Sequence, residues 1–193
     1  MALTPSTMLP LGTKLPSFTL ADGGGKVVSS GDCAGAPAYL VMFICNHCPY
    51  VKHVAPALAK LTSKYLEKNV AIFGIMSNDA VKYPADGPEL MLEEARLRGY
   101  RFPYLLDQDQ GVAKAFQAAC TPEFYVFDKD QKLVYRGQFD ASRPGNDILP
   151  TGDDVAKALD AVLGGRPVAA EQKPSVGCNI KWRVGNEPPY FGR

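Results

Sequence analysis

The feature that most restricts how this chain can fold is a junction between two segments of opposite periodicity. Pro37-Ala38-Tyr39-Leu40-Val41-Met42-Phe43-Ile44 is apolar throughout, as a strand buried on both faces must be. It runs into the turn Cys45-Asn46-His47-Cys48-Pro49. From Tyr50 onward Val51, Val54, Ala55, Leu58, Leu61 and Tyr65 recur at helical spacing, predicting an amphipathic helix that ends near Lys68-Asn69. Pro49 suits the first helical turn, where a missing N–H costs nothing, whereas Pro56 falls inside the helix and should kink it.

The rest of the chain repeats this alternation. Val70 to Met76 reads as a second buried strand, Ser77 to Gly87 as a polar loop and Pro88 to Arg98 as a helix, which completes a βαβ unit. Tyr104-Leu105-Leu106 predicts a short strand and Gln110 to Ala119 a helix. Phe124 to Phe127 and Lys132 to Gly137 predict a hairpin across Asp128 to Gln131, and Asp153 to Leu163 a last helix. Upstream, Ser17 to Leu20 and Lys26 to Val28 flank Asp22-Gly23-Gly24-Gly25 as an N-terminal β-hairpin. The expected class is α/β, a central mixed sheet flanked by helices. Residues 164–193, rich in proline and glycine and carrying the only tryptophan, are expected to form an irregular C-terminal strap.

At 193 residues and 46% hydrophobic, the chain is long enough for one sizeable core, and residues 1–193 are expected to form a single domain. Lys and Arg total 21 against 20 for Asp and Glu, so the net charge of +1 gives no reason to expect nucleic acid or an anionic membrane as partner. No apolar run approaches the roughly 20 residues needed to span a bilayer. The N-terminal residues lack a basic segment and are broken by prolines, so a cytoplasmic protein is expected.

The cysteines Cys33, Cys45, Cys48, Cys120 and Cys178 are five, an odd number and too sparse for a disulfide-stapled scaffold. A close pair in a reducing compartment is more often catalytic or metal-binding than structural, which directs attention to residues 45–48. Placed at a helix N-terminus, Cys45 would have its thiolate stabilised by unsatisfied amides and the macrodipole, making it the candidate nucleophile. Cys48, within the first turn, would resolve the mixed disulfide. His47 between them would favour the thiolate, while its bland reading is a solvent-facing turn residue. His53 is expected on the helix surface. Tyr50 is placed to border an exposed sulfur, Asn46 is a substrate-contact candidate within the turn, and Asp79 and Glu123 are candidate carboxylates for the proton of Cys48. Thr121-Pro122, just before a strand, predicts either a strand-opening proline or a cis peptide. Cys120 and Cys178 are possible further redox thiols, Cys120 reading more simply as a small buried residue. Cys33 has a surface-loop context.

These features together resemble the thioredoxin superfamily over about residues 10–163. The hairpin, the motif Phe43 to Val51 and the tail Pro174-Ser175-Val176-Gly177-Cys178-Asn179-Ile180-Lys181-Trp182 resemble its bacterial redoxins, peroxiredoxin-like proteins of the alkyl hydroperoxide reductase and thiol-specific antioxidant type. The resemblance implies a thioredoxin-like fold and a Cys45/Cys48 dithiol–disulfide couple. It also implies a cis Pro122, with the Thr121 backbone facing the cysteines and pairing with bound substrate. No cofactor is implied. The implied partners are a protein or small-molecule disulfide and an external thiol reductant such as a thioredoxin or glutathione system. Two departures bear on function. Ile44 replaces the tryptophan that usually precedes the first cysteine. In addition, Met42 and Ala38 (counting from Cys45), or Cys45 and Val41 (counting from Cys48), stand where peroxiredoxins carry their peroxide-polarising Thr/Ser and Pro.

Three readings follow. The first is a thiol-disulfide oxidoreductase. The second is a thiol peroxidase that passes through a sulfenic acid resolved by Cys48 or Cys178. The third is a metal-binding module built on Cys45, His47, Cys48 and a fourth thiol, for which one Cys-x-x-Cys is weak support, so no metal is expected.

Overall fold

A computed structural model describes residues 3–192. In chain order the strands and helices are β1 (Leu3–Pro5), β2 (Thr19–Asp22), β3 (Val27–Ser29), β4 (Ala38–Phe43), α1 (Pro49–Leu66), β5 (Ala71–Met76), α2 (Pro88–Arg98), β6 (Tyr104–Leu106), α3 (Gly111–Ala115), β7 (Cys120–Thr121), β8 (Glu123–Asp128), β9 (Leu133–Gly137), α4 (Asp153–Leu163) and β10 (Val176–Asn179).

The main sheet has seven strands in the order β3-β2-β6-β5-β4-β8-β9. Its middle strands β4, β5 and β6 are parallel, as a βαβ crossover through α1 requires, while β2 and β8 run antiparallel to them and form hairpins with the edge strands β3 and β9. Strand β4 is central and fully buried, which explains its unbroken apolar sequence. Its residues alternate between two cores. Leu40 and Met42 join Val51, Val54, Leu58, Phe124 and Leu159 on one face, and Tyr39, Val41 and Phe43 join Phe73, Phe116, Tyr125 and Phe127 on the other. The mixed, helix-flanked α/β architecture expected from the sequence is present.

Helix α1 begins with Pro49 and runs unbroken through Pro56 to Leu66. Helix α3 is shorter than the predicted span. Gln110 precedes it in the left-handed region at φ 63°, Gln117 follows at φ 50°, and the Asp107 carboxylate holds the amides of Val112 and Ala113. The tail is not wholly irregular. Within it β10 pairs antiparallel with β1 on one side and β7 on the other, forming a second, three-stranded sheet. Runs of two to four residues carry too little periodicity to be read as strands. Gly177 makes the pairing possible, because a Cβ there would lie 2.1 Å from the Thr121 carbonyl oxygen.

Candidate active site

Strand β4 ends one residue before the turn, and the Ile44 amide still bonds to Ile75 O, so Cys45 is delivered rigidly at the C-terminal end of the central parallel strands. Helix α1 starts at Pro49 with Cys48 as its N-cap. The helix-terminus argument made for Cys45 therefore applies to Cys48, because proline at the first helical position sets the start four residues after Cys45. The two cysteines lie in one buried cluster and both contact Thr121. Both residues are buried, and neither presents the exposed sulfur expected from the sequence: Cys45 keeps 2% exposure and Cys48 none.

The carboxylate of this site is Asp86, which sequence reasoning missed. It lies 39 residues from His47, on a short 3-10 turn at the end of the polar loop, and is completely buried. Its Oδ1 accepts from the Asn46 and His47 amides at 2.9 and 3.2 Å. Its Oδ2 pairs with His47 Nδ1 at 2.6 Å and accepts from Asn78 Nδ2 at 2.8 Å. Burial works to raise the Asp86 carboxyl, but the bonds from His47 and Asn78 outweigh it and hold it below the ordinary range. An ionised carboxylate only accepts, so His47 Nδ1 carries a proton and donates it. The imidazole lies flat against Tyr83, with ring centroids 5.5 Å apart. The only sequence signal for Asp86 was an acidic residue in a loop that follows a central strand.

Burial, the hydrogen bond to Cys48 and the charge of Asp86 push the Cys45 thiol well up. The hydrogen bond from Cys45 lowers Cys48 to about 5 against its own burial, with further support from Cys178, Thr121 and the Val51 amide.

The Thr121-Pro122 peptide is cis. Thr121 faces both cysteines, its Oγ1 3.4 Å from Cys45 Sγ and its carbonyl oxygen 3.2 Å from Cys48 Sγ. The backbone edge of Thr121, expected to pair with a substrate chain, is occupied by β10, with Cys178 its register partner. Cys178 shares a buried cluster with Cys45 and Cys48, and its register partner Thr121 contacts Cys48 Sγ, so the structure brings this tail residue to the site.

Other expected residues are placed differently. Asn46 is buried, with Nδ2 donating to Ala85 O and Oδ1 accepting from Tyr104 OH, both at 2.9 Å. Its polar groups fix the turn to its surroundings. Tyr50 borders a small cavity with Pro122, Phe139, Arg143 and Val176. His53 lines the same cavity, half-buried and not on the open helix surface. Glu123 is buried, but its carboxylate takes Ser6 Oγ and the Ala119 and Cys120 amides. Asp79 turns onto its own loop at Val81 and Lys82. Cys120 is buried 3.9 Å from Glu123, which together with burial raises its thiol. Cys33 sits half-buried at the end of a 3-10 turn. Among the described residues, the donor atoms of Cys45, His47 and Asp86 lie within 4.8 Å of one another. That is a three-donor set in which both Asp86 oxygens already accept two hydrogen bonds each, fewer donors than the four of a structural zinc site.

Residues 10–154 match the family model described as Redoxin. The chain belongs to the Redoxin family. This redoxin is 53% identical to an uncharacterized conserved protein from Geobacillus kaustophilus whose crystal structure superposes with a TM-score of 0.92, covering 95% of this chain and 97% of that one. A Mycobacterium tuberculosis protein that bears the name of a peroxiredoxin is 28% identical over 144 residues, 68% of this chain and 87% of its own length. The thioredoxin domain of a thiol-disulfide oxidoreductase from Bacteroides vulgatus shares the fold, with a TM-score of 0.59 at 21% identity, covering 77% of this chain and 97% of that domain. The redoxin is thus a thioredoxin-like oxidoreductase with a thiol redox function. No helix among its described residues is long and apolar enough to cross a membrane.

Proposed function

We propose that the protein is a thiol-disulfide oxidoreductase in which Cys45 attacks a substrate disulfide and Cys48 resolves the mixed disulfide. The observation that carries this reading is the grouping of Cys45 with His47 and Asp86. Asp86 holds the imidazole with its proton on Nδ1, which leaves Nε2, buried and without a partner, as the basic nitrogen. His47 Nε2 and the Cys45 thiol are not hydrogen-bonded in the resting structure, so the turn must shift on substrate binding for His47 to accept the Cys45 proton; the resulting imidazolium offsets the Asp86 charge that otherwise disfavours a thiolate there. The Cys45 sulfur then bonds to one substrate sulfur and the other leaves as thiolate. Cys48, already favoured as thiolate, attacks Cys45 Sγ, closes the 45–48 disulfide and releases the reduced product. Cys45 is taken as the attacking member from its place as the first cysteine of the motif, at the end of the central strand, which is the role the family resemblance gives it.

Because β10 occupies the Thr121 edge, a compact disulfide suits this site better than an extended peptide paired along that strand. An external thiol, from a glutathione or thioredoxin system in a reducing cytoplasm, reopens the disulfide. A peroxidase is the second reading. It is supported by the peroxiredoxin name of the mycobacterial relative, although Met42 and Ala38 stand in place of the peroxide-polarising residues.

The test compares reduction of oxidised glutathione and of insulin, and consumption of hydrogen peroxide with dithiothreitol, in the wild type, Cys45→Ser and Cys48→Ser. Loss of all turnover in Cys45→Ser, with a trapped Cys45 mixed disulfide in Cys48→Ser, is the expected result. Full activity in Cys45→Ser overturns the reading. Peroxide turnover without disulfide turnover in the wild type transfers it to the peroxidase.

A further inference from the structure

The C-terminal strap lies where a partner strand would lie in a complex. Strand β10 is hydrogen-bonded to β7, the strand that ends at the cis peptide, and Cys178 pairs in register with Thr121. The approach is as close as backbone allows, since any side chain at Gly177 would collide with Thr121 O and meet Pro122 Cδ at 3.4 Å. The strap is held from several directions. On its outer edge β1 pairs residue by residue with Val176, Gly177 and Cys178. Ser175 Oγ donates to Gly137 O, and Lys181 is tied by its amide to Asn78 Oδ1 at 2.8 Å and by its carbonyl to the Asp79 amide and to Gln110 Nε2. Asn78 in turn bonds Asp86. These contacts hold Cys178 opposite Thr121, whose carbonyl oxygen lies 3.2 Å from Cys48 Sγ.

We propose that Cys178 is a third redox residue, which takes the disulfide over from Cys45 by exchange at Cys48. This rests on the Cys45/Cys48 reading above. Once a substrate disulfide has oxidised the pair, the Cys178 thiolate attacks Cys48 Sγ. The Cys48–Cys178 bond forms and the Cys45–Cys48 bond breaks, leaving Cys45 as thiolate. The proton given up by Cys178 ends on Cys45. The exchange has no net redox change, because the oxidising equivalent came from the substrate disulfide. Cys48 is the sulfur attacked because it contacts the carbonyl oxygen of Thr121, the register partner of Cys178, at 3.2 Å, and packs in one buried cluster with Cys45 and Cys178.

The electrostatics favour the exchange only after oxidation. In the reduced protein, burial and the neighbouring Cys48 push the Cys178 thiol up to about 12. Forming the 45–48 disulfide removes the Cys48 charge and its hydrogen bond, while the nearby Lys181 ammonium continues to favour a thiolate at Cys178. The chain thereby stores one disulfide in the strap and returns Cys45 to its reduced form beside His47.

The experiment treats the full-length reduced protein with oxidised glutathione, quenches it in acid, and maps disulfides by proteolysis and fragmentation mass spectrometry without reduction. A second aliquot receives iodoacetamide after oxidation. In the wild type, a peptide linking Cys48 to Cys178 is expected, with Cys45 becoming alkylated. Cys178→Ser and Cys178→Ala should both retain the Cys45–Cys48 disulfide and lose alkylation of Cys45 after oxidation, and two variants guard against a folding defect in either. A wild type that forms Cys45–Cys48 but no Cys48–Cys178 link overturns the relay and leaves the pair intact. Absence of both disulfides overturns the reading of the pair itself.

Discussion

His47 Nδ1 lies 2.6 Å from Asp86 Oδ2, and the same carboxylate gathers both backbone amides of the turn that separates the cysteines. A residue of the loop after β5 therefore sets both the shape of the 45–48 turn and the orientation of its imidazole. Replacing the ionised acceptor by an amide, Asp86→Asn, keeps the size of the side chain but puts an NH2 group against two of its four donors and removes the charge that requires Nδ1 to be the protonated nitrogen. Turnover with oxidised glutathione is expected to fall by about 10²-fold, the lower end of what a positioned base contributes. A loss of activity with an unchanged pH–rate profile would place Asp86 in a purely structural role, because an altered His47 must move that profile.

The low-titrating thiol of the reduced pair is Cys48, at about 5 against an ordinary 9.0. Thiolate absorbance at 240 nm is expected to rise with a midpoint near that lower value, belonging to the pair as a unit. Since the folded thiol ionises more readily than the unfolded one, its ionisation favours the fold. That contribution is complete above about 9 and is lost as pH falls through about 5. Cys45→Ala removes the largest lowering cause, the hydrogen bond from Cys45, and should shift the remaining midpoint upward. A wild-type midpoint at the ordinary thiol value contradicts the arrangement.

The contact between Gly177 and the Thr121 carbonyl admits no Cβ. Gly177→Ala should force β10 away from β7 at a cost of about 1–3 kcal/mol, typical of overpacking. Hydrogen exchange of the amides of 176–179 should quicken more than that of the central strand β4. Equal protection in the variant and the wild type would show that the strap is not held by this contact.

Tyr104 OH donates to Asn46 Oδ1 in a fully buried setting. Tyr104→Phe leaves that acceptor without its partner and should cost about 1–3 kcal/mol in urea unfolding. The effect belongs to the turn, so the rate of Cys45 alkylation should change as well. Destabilisation without any change at Cys45 would mean that Asn46 does not hold the turn in place.

What the sequence determined by itself was the scaffold and the reactive pair. Residues 37–44 and 51–65 carry strand and helix periodicities strong enough to survive any tertiary context, and the motif between them names its own chemistry. These are local properties, written in neighbouring residues. Tertiary structure alone decided what surrounds the sulfurs. Asp86 reached His47 across 39 positions. Asn46 was taken by Tyr104, 58 residues away, and Cys178 arrived from a tail whose short strand exists only because β1 and β7 flank it. Burial, charge and pairing at such distances depend on which segments the fold brings together, and no local pattern in the chain records that.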